Sequence, residues 1–430
     1  MKAVVVALGK VGLPLAAHIA RAGHEVVGCD VDERVVDAVN AARPPFPGEA
    51  GLQETLELVV GEGRLRAVTD TAAAVAEGPD LVVAVPPLMV DGRARPDWSI
   101  LDAVVDDIGR GLAAADPGVT VSIETTVPVG TTRGRIAPAL SRCSGHEAEQ
   151  DFHVVFSPER VFSGRVFADL ETYPKLVGGC SPEGEAQGVA LYRSFLRAEV
   201  WGMGSAEAAE LAKLAETTYR DVNIALANEL ARFADASGVD VARVIDAANS
   251  QPFSHLHRPG VAVGGHCIPV YPRFWLDGDP DARLPAAARE VNDAMPAYAV
   301  ALLEETLGAG ALRGRDVLIL GIAYRGGVKE TAFSGAFALR DALIAAGARP
   351  VAEDPLFSPA EIAAAGFTAW DGKSAVAAAV LQADHAEYAR LRPSDLPGAR
   401  AVLDGRGILD PAPFVAQGVA VRRIGVPVSR

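Results

Sequence analysis

A chain of 430 residues, half of them hydrophobic, is long enough for two or three domains, each with its own core. Its formal net charge of −15 argues against nucleic acid and anionic membrane surfaces as partners, while leaving room for a local basic pocket that takes phosphates. No apolar run reaches spanning length and Met1-Lys2 leads straight into a strand pattern, which points to a cytoplasmic protein with no membrane partner. The four cysteines, Cys29, Cys143, Cys180 and Cys267, stand far apart without CxxC or Cys/His spacing, so neither a disulfide framework nor a metal site is expected.

In chain order, Ala3 to Gly9 reads as a buried strand entering a glycine turn and a helix, and a second strand then ends at Asp30. The turn Ala7-Leu8-Gly9-Lys10-Val11-Gly12, with that acid after the next strand, matches a dinucleotide fingerprint in which Ala7 stands where the first glycine belongs. Gly9 would let the backbone approach a pyrophosphate, Gly12 would allow close helix packing, and Asp30 would bind a ribose 2′-hydroxyl. A carboxylate at Asp30 favours NAD over NADP, because a 2′-phosphate would meet a like charge. Pro- and Gly-rich punctuation at Arg43 to Gly51 and at Gln251 to Pro272 predicts loops.

From Ser205 to Ser237 the chain lacks both Gly and Pro, and Leu211, Leu214, Val222, Leu226 and Leu230 recur at mostly helical spacing, which predicts one long helix. Much later, Asp316 to Gly321 repeats the strand-turn-helix pattern, and its second strand ends at Glu353-Asp354. The echo implies an α/β fold of two Rossmann-like doubly wound domains joined by a long central helix, with domains over residues 1–200, 201–305 and 306–430. Between the two Rossmann patterns lies Gly264-Gly265-His266-Cys267-Ile268-Pro269, a thiol in a glycine-rich turn. A nicotinamide enzyme that takes an alcohol past the aldehyde needs such a nucleophile to hold the carbonyl, and the glycines free nearby N–H groups for an oxyanion. An isolated cysteine in a tight turn is also a common core residue.

Several motifs follow one another in a specific order: Gly9-Lys10-Val11-Gly12-Leu13-Pro14, Thr125-Thr126-Val127-Pro128-Val129-Gly130-Thr131-Thr132, Ser157-Pro158-Glu159-Arg160-Val161, and Leu211-Ala212-Lys213-Leu214-Ala215-Glu216. Tyr219-Arg220-Asp221-Val222-Asn223, the Cys267 turn and Asp404-Gly405-Arg406 complete the series. Together they resemble the nucleotide-sugar 6-dehydrogenases of the UDP-glucose/GDP-mannose dehydrogenase family, nearly end to end. The Arg-Asp-Val-Asn run and the Cys267 turn are most similar to the branch that oxidises UDP-N-acetylhexosamines, notably UDP-N-acetylmannosamine.

The resemblance implies a four-electron oxidation at C6 of a UDP-sugar, with NAD as cofactor and a homodimer or higher homo-oligomer built on the long helix. Cys267 would trap the C6 aldehyde, Lys213 would stabilise charge on the C6 oxygen, and Glu159 and Thr126 would order the water that hydrolyses a thioester. Gly9, Lys10, Val11, Gly12, Asp30, Arg34, Pro86, Thr126 and Lys329 would contact the cofactor. Glu159, Arg160, Val161, Lys213, Arg220, Asn223, Gly264, Gly265, Tyr324 and Arg325 would line the substrate site, with Arg258 and Arg406, one of them reaching in from a neighbouring subunit.

The sequence departs from the family pattern at two catalytic positions. Thr217 stands where an Asn usually lies four residues after the lysine, and Tyr271 stands where an Asp usually lies four residues after the cysteine. A tyrosine is neutral at pH 7 and cannot serve as a carboxylate base, so Tyr271 is expected to act as a hydrogen-bonding substitute while Lys213 and Glu159 carry the protons. The loop Ala323 to Thr331, where Lys329 lies, is shortened. UDP-glucose is the alternative substrate. A sugar-nucleotide binder with impaired chemistry and a β-hydroxyacid dehydrogenase are rivals of other classes, and residues 311–430 argue against the second.

Overall fold

The computed structural model describes residues 1–92, 94–162 and 164–429, and they form two compact units. The first comprises Met1–Glu216 with Asp277–Pro280, and the second Thr217–Leu276 with Asp281–Arg430.

The first unit holds β1 (Lys2–Val6), β2 (Glu25–Cys29), β3 (Leu65–Val68), β4 (Leu81–Ala84), a two-stranded hairpin of β5 (Met89–Val90) and β6 (Pro96–Asp97), then β7 (Thr120–Ile123), β8 (His153–Phe156), β9 (Lys175–Gly179) and β10 (Val200–Gly202). The main sheet runs in the order β10-β9-β8-β7-β4-β1-β2-β3. It is parallel except where β9 meets β8 antiparallel. Residues 3 to 6 of β1 are all buried, as a central strand covered on both faces requires. The strand order turns at β1, whose neighbours are β2 on one side and β4 on the other, and this switch point is where doubly wound sheets open a crevice for ligands.

The second unit repeats the plan with β11 (Asp316–Leu320), β12 (Arg349–Glu353), β13 (Thr368–Ala369), β14 (Ala378–Leu381), β15 (Ala401–Asp404), β16 (Ala420–Arg423) and β17 (Val426–Ser429). Its order, β13-β12-β11-β14-β15-β16-β17, matches β3-β2-β1-β4 at the switch point, and only the β16–β17 edge is antiparallel. Successive residues of β11 point to opposite faces: Val317 and Ile319 join one core cluster, Leu318 and Leu320 another.

The long helix is present as Ala206–Ser237, 32 residues, and joins the two Rossmann-like parts along the chain. Its apolar periodicity marks the buried face only in part: Leu214 is buried, but Leu211 and Leu226 are exposed, whereas Glu210, Lys213, Thr217, Thr218, Asp221 and Asn228 are buried. The expected loop Gln251 to Pro272 ends early, because a helix starts at Cys267 and runs to Gly278. Pro269 sits in its first turn, where a missing N–H costs nothing, and Pro272 lies inside it. Among the described residues no helix is long and apolar enough to cross a membrane.

Candidate functional site

At the switch point of the first sheet, β1 stops at Val6 and the chain turns through Ala7, whose φ of 74° is left-handed. That conformation explains why the fingerprint puts glycine there. A Cβ on Gly12 would lie 2.0 Å from the Ala7 carbonyl oxygen, while one on Gly9 would meet nothing within 4 Å, so the turn is closed beneath Gly12 and open above Gly9. The helix Gly12–Arg21 that follows has no acid in its first turn, which leaves its N–H groups and dipole for an anion. Asp30 is oriented by the Leu8 N–H at 2.8 Å and by the Asp32 N–H at 3.0 Å. Arg34 forks onto Asp32, which holds that exposed carboxyl below its usual range. Pro86 is buried just after β4, and Lys10 and Val11 are half-buried. An open Gly9, an acid-free helix start and an anchored carboxylate fit a dinucleotide.

Farther along the same sheet, Thr126 is buried after β7, and the turn Pro158 to Val161 follows β8. Glu159 folds back on its own turn, one oxygen accepting the Arg160 and Val161 N–H groups at 2.6 and 3.0 Å and the other taking Lys175 Nζ at 3.2 Å. Lys175, from β9, also donates to Glu124 at 2.8 Å. Burial alone would raise the Glu159 carboxyl, but Lys175, the Arg160 N–H and Lys213 outweigh it and the net direction is down. Lys213, 9% exposed on the long helix, donates from Nζ to the Glu159 carbonyl oxygen. Lys213 and Glu159 are thus brought together within the first unit. Arg160 is engaged with Glu216 at 2.8 Å and with the Pro174 carbonyl at 3.0 Å.

In the second unit, Cys267 is exposed at the first residue of its helix, while Cys29 and Cys180 are buried. Burial pushes the Cys29 and Cys180 thiols up to about 12. An anion on Cys267 Sγ, or on a carbonyl bound to it, meets the positive end of the helix dipole. The turn before it rests on Tyr324: a Cβ on Gly264 would stand 3.0 Å from Tyr324 Cβ, and one on Gly265, whose φ is 89°, would stand 3.1 Å from the Tyr324 ring. Tyr271 is 8% exposed and its hydroxyl lies 3.3 Å from His266 Nδ1. Burial lowers His266, with Glu330 opposing, so the ring is neutral at pH 7 and Nδ1 can accept the Tyr271 proton. Thr217 is buried on the long helix and Arg220 is exposed. Asn223 donates to the His255 carbonyl at 2.7 Å and accepts the His257 N–H at 2.9 Å, fixing the segment that leads to Arg258. Arg258 itself pairs with Asp246 and donates to the Ala242 carbonyl at 3.1 Å.

The ends of β11, β14 and β15 converge at the switch point of the second sheet. Arg406 donates from Nε to the Gln382 carbonyl at 2.7 Å and from a terminal nitrogen to the Tyr324 carbonyl at 3.2 Å, tying three loops together. Arg325 is exposed and folds over the Tyr324 ring, with Nε 3.2 Å from the Tyr324 hydroxyl. Lys329 donates to Glu361 at 2.6 Å, an exposed pair that brings Glu361 down to about 2.

Family models match in the same order as these sites: the NAD binding domain of the UDP-glucose/GDP-mannose dehydrogenase family over residues 1–196, its central domain over 207–294 and its UDP binding domain over 318–411. The chain belongs to this family. The enzyme is 36% identical over 335 residues to a UDP-N-acetyl-D-mannosamine dehydrogenase of Pyrococcus horikoshii, covering 77% of this chain and 78% of the relative. It is 32% identical to an NDP-N-acetyl-D-galactosaminuronic acid dehydrogenase of Ralstonia nicotianae, over 94% and 95% of the two chains. Among solved structures, a UDP-D-ManNAc dehydrogenase from Pyrococcus horikoshii superposes with a TM-score of 0.88 at 32% identity over 99% of both chains. A UDP-glucose dehydrogenase from Pyrobaculum islandicum superposes with a TM-score of 0.86 at 27% identity, over 99% and 98%. The enzyme is an NAD-dependent sugar-nucleotide dehydrogenase with a UDP-binding domain.

Several residues that hold these sites were not named as site residues from the sequence. Glu210 is fully buried and accepts the Gly130 and Thr132 N–H groups at 2.5 and 2.8 Å and the Thr132 hydroxyl at 2.6 Å, clamping the threonine-rich loop that carries Thr126. Asp404 accepts the Gly407 N–H at 2.7 Å and the Leu409 N–H at 2.9 Å, shaping the turn that presents Arg406. Lys175 reaches Glu159 from β9 and is itself held by Glu124, which takes the Tyr192 hydroxyl; only their spatial meeting reveals them.

Proposed function

We propose that this enzyme oxidises C6 of a UDP-N-acetylhexosamine, of the UDP-N-acetylmannosamine kind, to the uronate in two successive two-electron steps. The substrate class is supported by the names of the relatives at 36% and 32% identity. The single observation that carries the chemistry is Cys267: an exposed thiol among four cysteines, at a helix start, behind a Gly264-Gly265 turn packed on Tyr324.

Gly9, Gly12, Asp30 and the helix Gly12–Arg21 would hold NAD, with Lys10, Val11, Arg34, Pro86, Thr126 and Lys329 as further contacts. Bound there, it supplies the hydride acceptor. Lys213, a cation 9% exposed, stabilises negative charge on the C6 oxygen, and the Thr217 hydroxyl one helical turn later donates where the family pattern has an amide. Cys267 Sγ adds to the C6 aldehyde carbon, the hemithioacetal is oxidised to a thioester, and water hydrolyses the thioester to the carboxylate and regenerates the thiol. Glu159, oriented by two backbone N–H groups and Lys175, orders that water together with Thr126. Tyr271, paired with neutral His266, shapes the pocket and moves no charge. Arg325, Arg406 and Arg258 serve the diphosphate, with Glu159, Arg160, Val161, Arg220, Asn223, Gly264, Gly265 and Tyr324 around the sugar. We place the domain limits at residues 1–200, 201–305 and 306–430. The working state is a homodimer or larger, through the apolar residues left exposed on the long helix.

Cys267→Ser tests this directly. The variant should release no uronate while binding NAD as the wild type does, and the wild type should yield two NADH per UDP-sugar consumed. Acid release at the wild-type rate by Cys267→Ser would exclude the covalent route, and one NADH per substrate would leave a two-electron enzyme. A thermal-shift panel of UDP-, GDP- and dTDP-sugars in the presence of NAD identifies the preferred nucleotide sugar, since ligands that bind only the native state raise its apparent stability.

A further inference from the structure

Two carboxylates and one ammonium are sealed together under the Glu159 turn. Glu124 is 0% and Lys175 5% exposed, and the Lys175 Nζ bridges Glu124 at 2.8 Å and Glu159 at 3.2 Å. The far side of Glu124 takes the Tyr192 hydroxyl, which in turn lies 2.7 Å from the Ser122 hydroxyl. The Glu159 N–H also donates to the Glu124 carbonyl at 3.3 Å, so the turn is tied to the end of β7 by backbone as well as by charge. Buried ions are costly unless paired, and removing one partner leaves the other uncompensated. A structural pair needs one carboxylate per lysine; this cluster has two, and the more superficial one is the residue that carries the water in the proposed chemistry.

We propose that Lys175 is a positioning residue for catalysis, which sets the orientation of the Glu159 carboxylate and of the backbone carbonyl that receives Lys213, with Glu124 and Tyr192 fixing Lys175 from below. Lys175 takes one Glu159 oxygen and two N–H groups take the other, so the carboxylate has a single orientation. The Glu159 carbonyl then presents one fixed acceptor to Lys213 Nζ. The charged groups facing Glu159 are Lys175 from β9, Glu124 from the end of β7 and Lys213 from the long helix, while the neighbouring Arg160 is occupied by Glu216. Burial raises the Glu124 carboxyl to about 7 against the pull of Lys175.

Because this role rests on the proposed part of Glu159 in thioester hydrolysis, a resting-state readout must accompany the kinetic one. In Lys175→Met, kcat for uronate formation should fall about 100-fold with KM for NAD and UDP-sugar within about threefold, and the acid limb of the kcat profile should move up by about one pH unit or more. Lys175→Arg should recover activity to within about tenfold, because a guanidinium can bridge the same two carboxylates. In the ligand-free protein, infrared or NMR titration of the carboxyls should show Glu159 protonating at higher pH in Lys175→Met. Glu124→Gln keeps the volume and the neutral form of Glu124, and it should remove a carboxyl titration near 7 and the inflection it gives the kcat profile. A folded Lys175→Met with wild-type kcat and an unshifted acid limb overturns the proposal. If Lys175→Met does not fold, a Glu124→Gln profile superimposable on the wild type overturns it. A shifted Glu159 titration in a protein whose Cys267→Ser variant still makes acid would instead reject the covalent reading and leave the positioning role standing.

Discussion

Tyr271 shows what a single substitution does to a catalytic pattern. The family's carboxylate at this position could take up a proton at neutral pH; the phenol cannot, and its partner is a histidine that burial keeps neutral. Tyr271→Phe therefore removes one hydrogen bond and no charge, so steady-state uronate formation should fall by no more than about tenfold, roughly 1.4 kcal/mol. A thousandfold loss would assign proton transfer to the tyrosine. The burial of His266 also has a pH sign. His266 is depressed from 6.5, so its contribution to stability is present above that value and is lost as pH falls toward the folded-state value, where Nδ1 becomes a donor facing the Tyr271 O–H. Thermal midpoints should accordingly drop as pH falls below 6.5, since it is burial that depresses His266. The place of Tyr271, four residues after Cys267, was legible through the family resemblance. Its partner was not, because His266 carries no signal in the sequence beyond standing beside the cysteine.

At the scale of elements, both Rossmann-like units could be read from the strand-turn-helix echo, and the matching strand orders bear this out. The long helix was equally legible from the lack of Gly and Pro between Ser205 and Ser237. Which way it faces was not. Periodicity assumes that apolar side chains mark the buried face, whereas this helix turns Glu210, Lys213, Thr217, Asp221 and Asn228 inward beside Leu214 and leaves Leu211 and Leu226 outside. Polar groups pointing inward are tolerable only when each finds partners, and Glu210 finds three donors on the Gly130–Thr132 loop. Glu210→Ala strips those donors of their acceptor and should cost about 2–4 kcal/mol of stability, measured by denaturant unfolding. Hydrogen exchange should quicken at Gly130 and Thr132 in the same variant. Wild-type stability with unchanged exchange there would mean that the loop is held by something other than this carboxylate.

For the whole molecule, the exposed side of the long helix is the feature that a single chain does not account for. Tyr219, Leu226 and Phe233 recur every seven residues, which puts them on one face of the helix, and they are 55%, 48% and 73% exposed. Large apolar residues scattered singly on a surface need no explanation, but three in register along one element describe a strip that water covers poorly. In the proposed dimer a second copy of the same helix covers it, an isologous contact in which each strip meets its twin. Leu226→Glu combined with Phe233→Glu places two charges in the middle of that strip. Light scattering after size exclusion should find the wild type as a dimer or larger and the double variant as a monomer, with a thermal midpoint that no longer rises with protein concentration. Since one substrate arginine is expected to come from the neighbouring subunit, uronate formation should fall with the dimer while NAD binding persists. A wild type that is monomeric at micromolar concentration, or a double variant that stays dimeric, would show that the strip is not the interface.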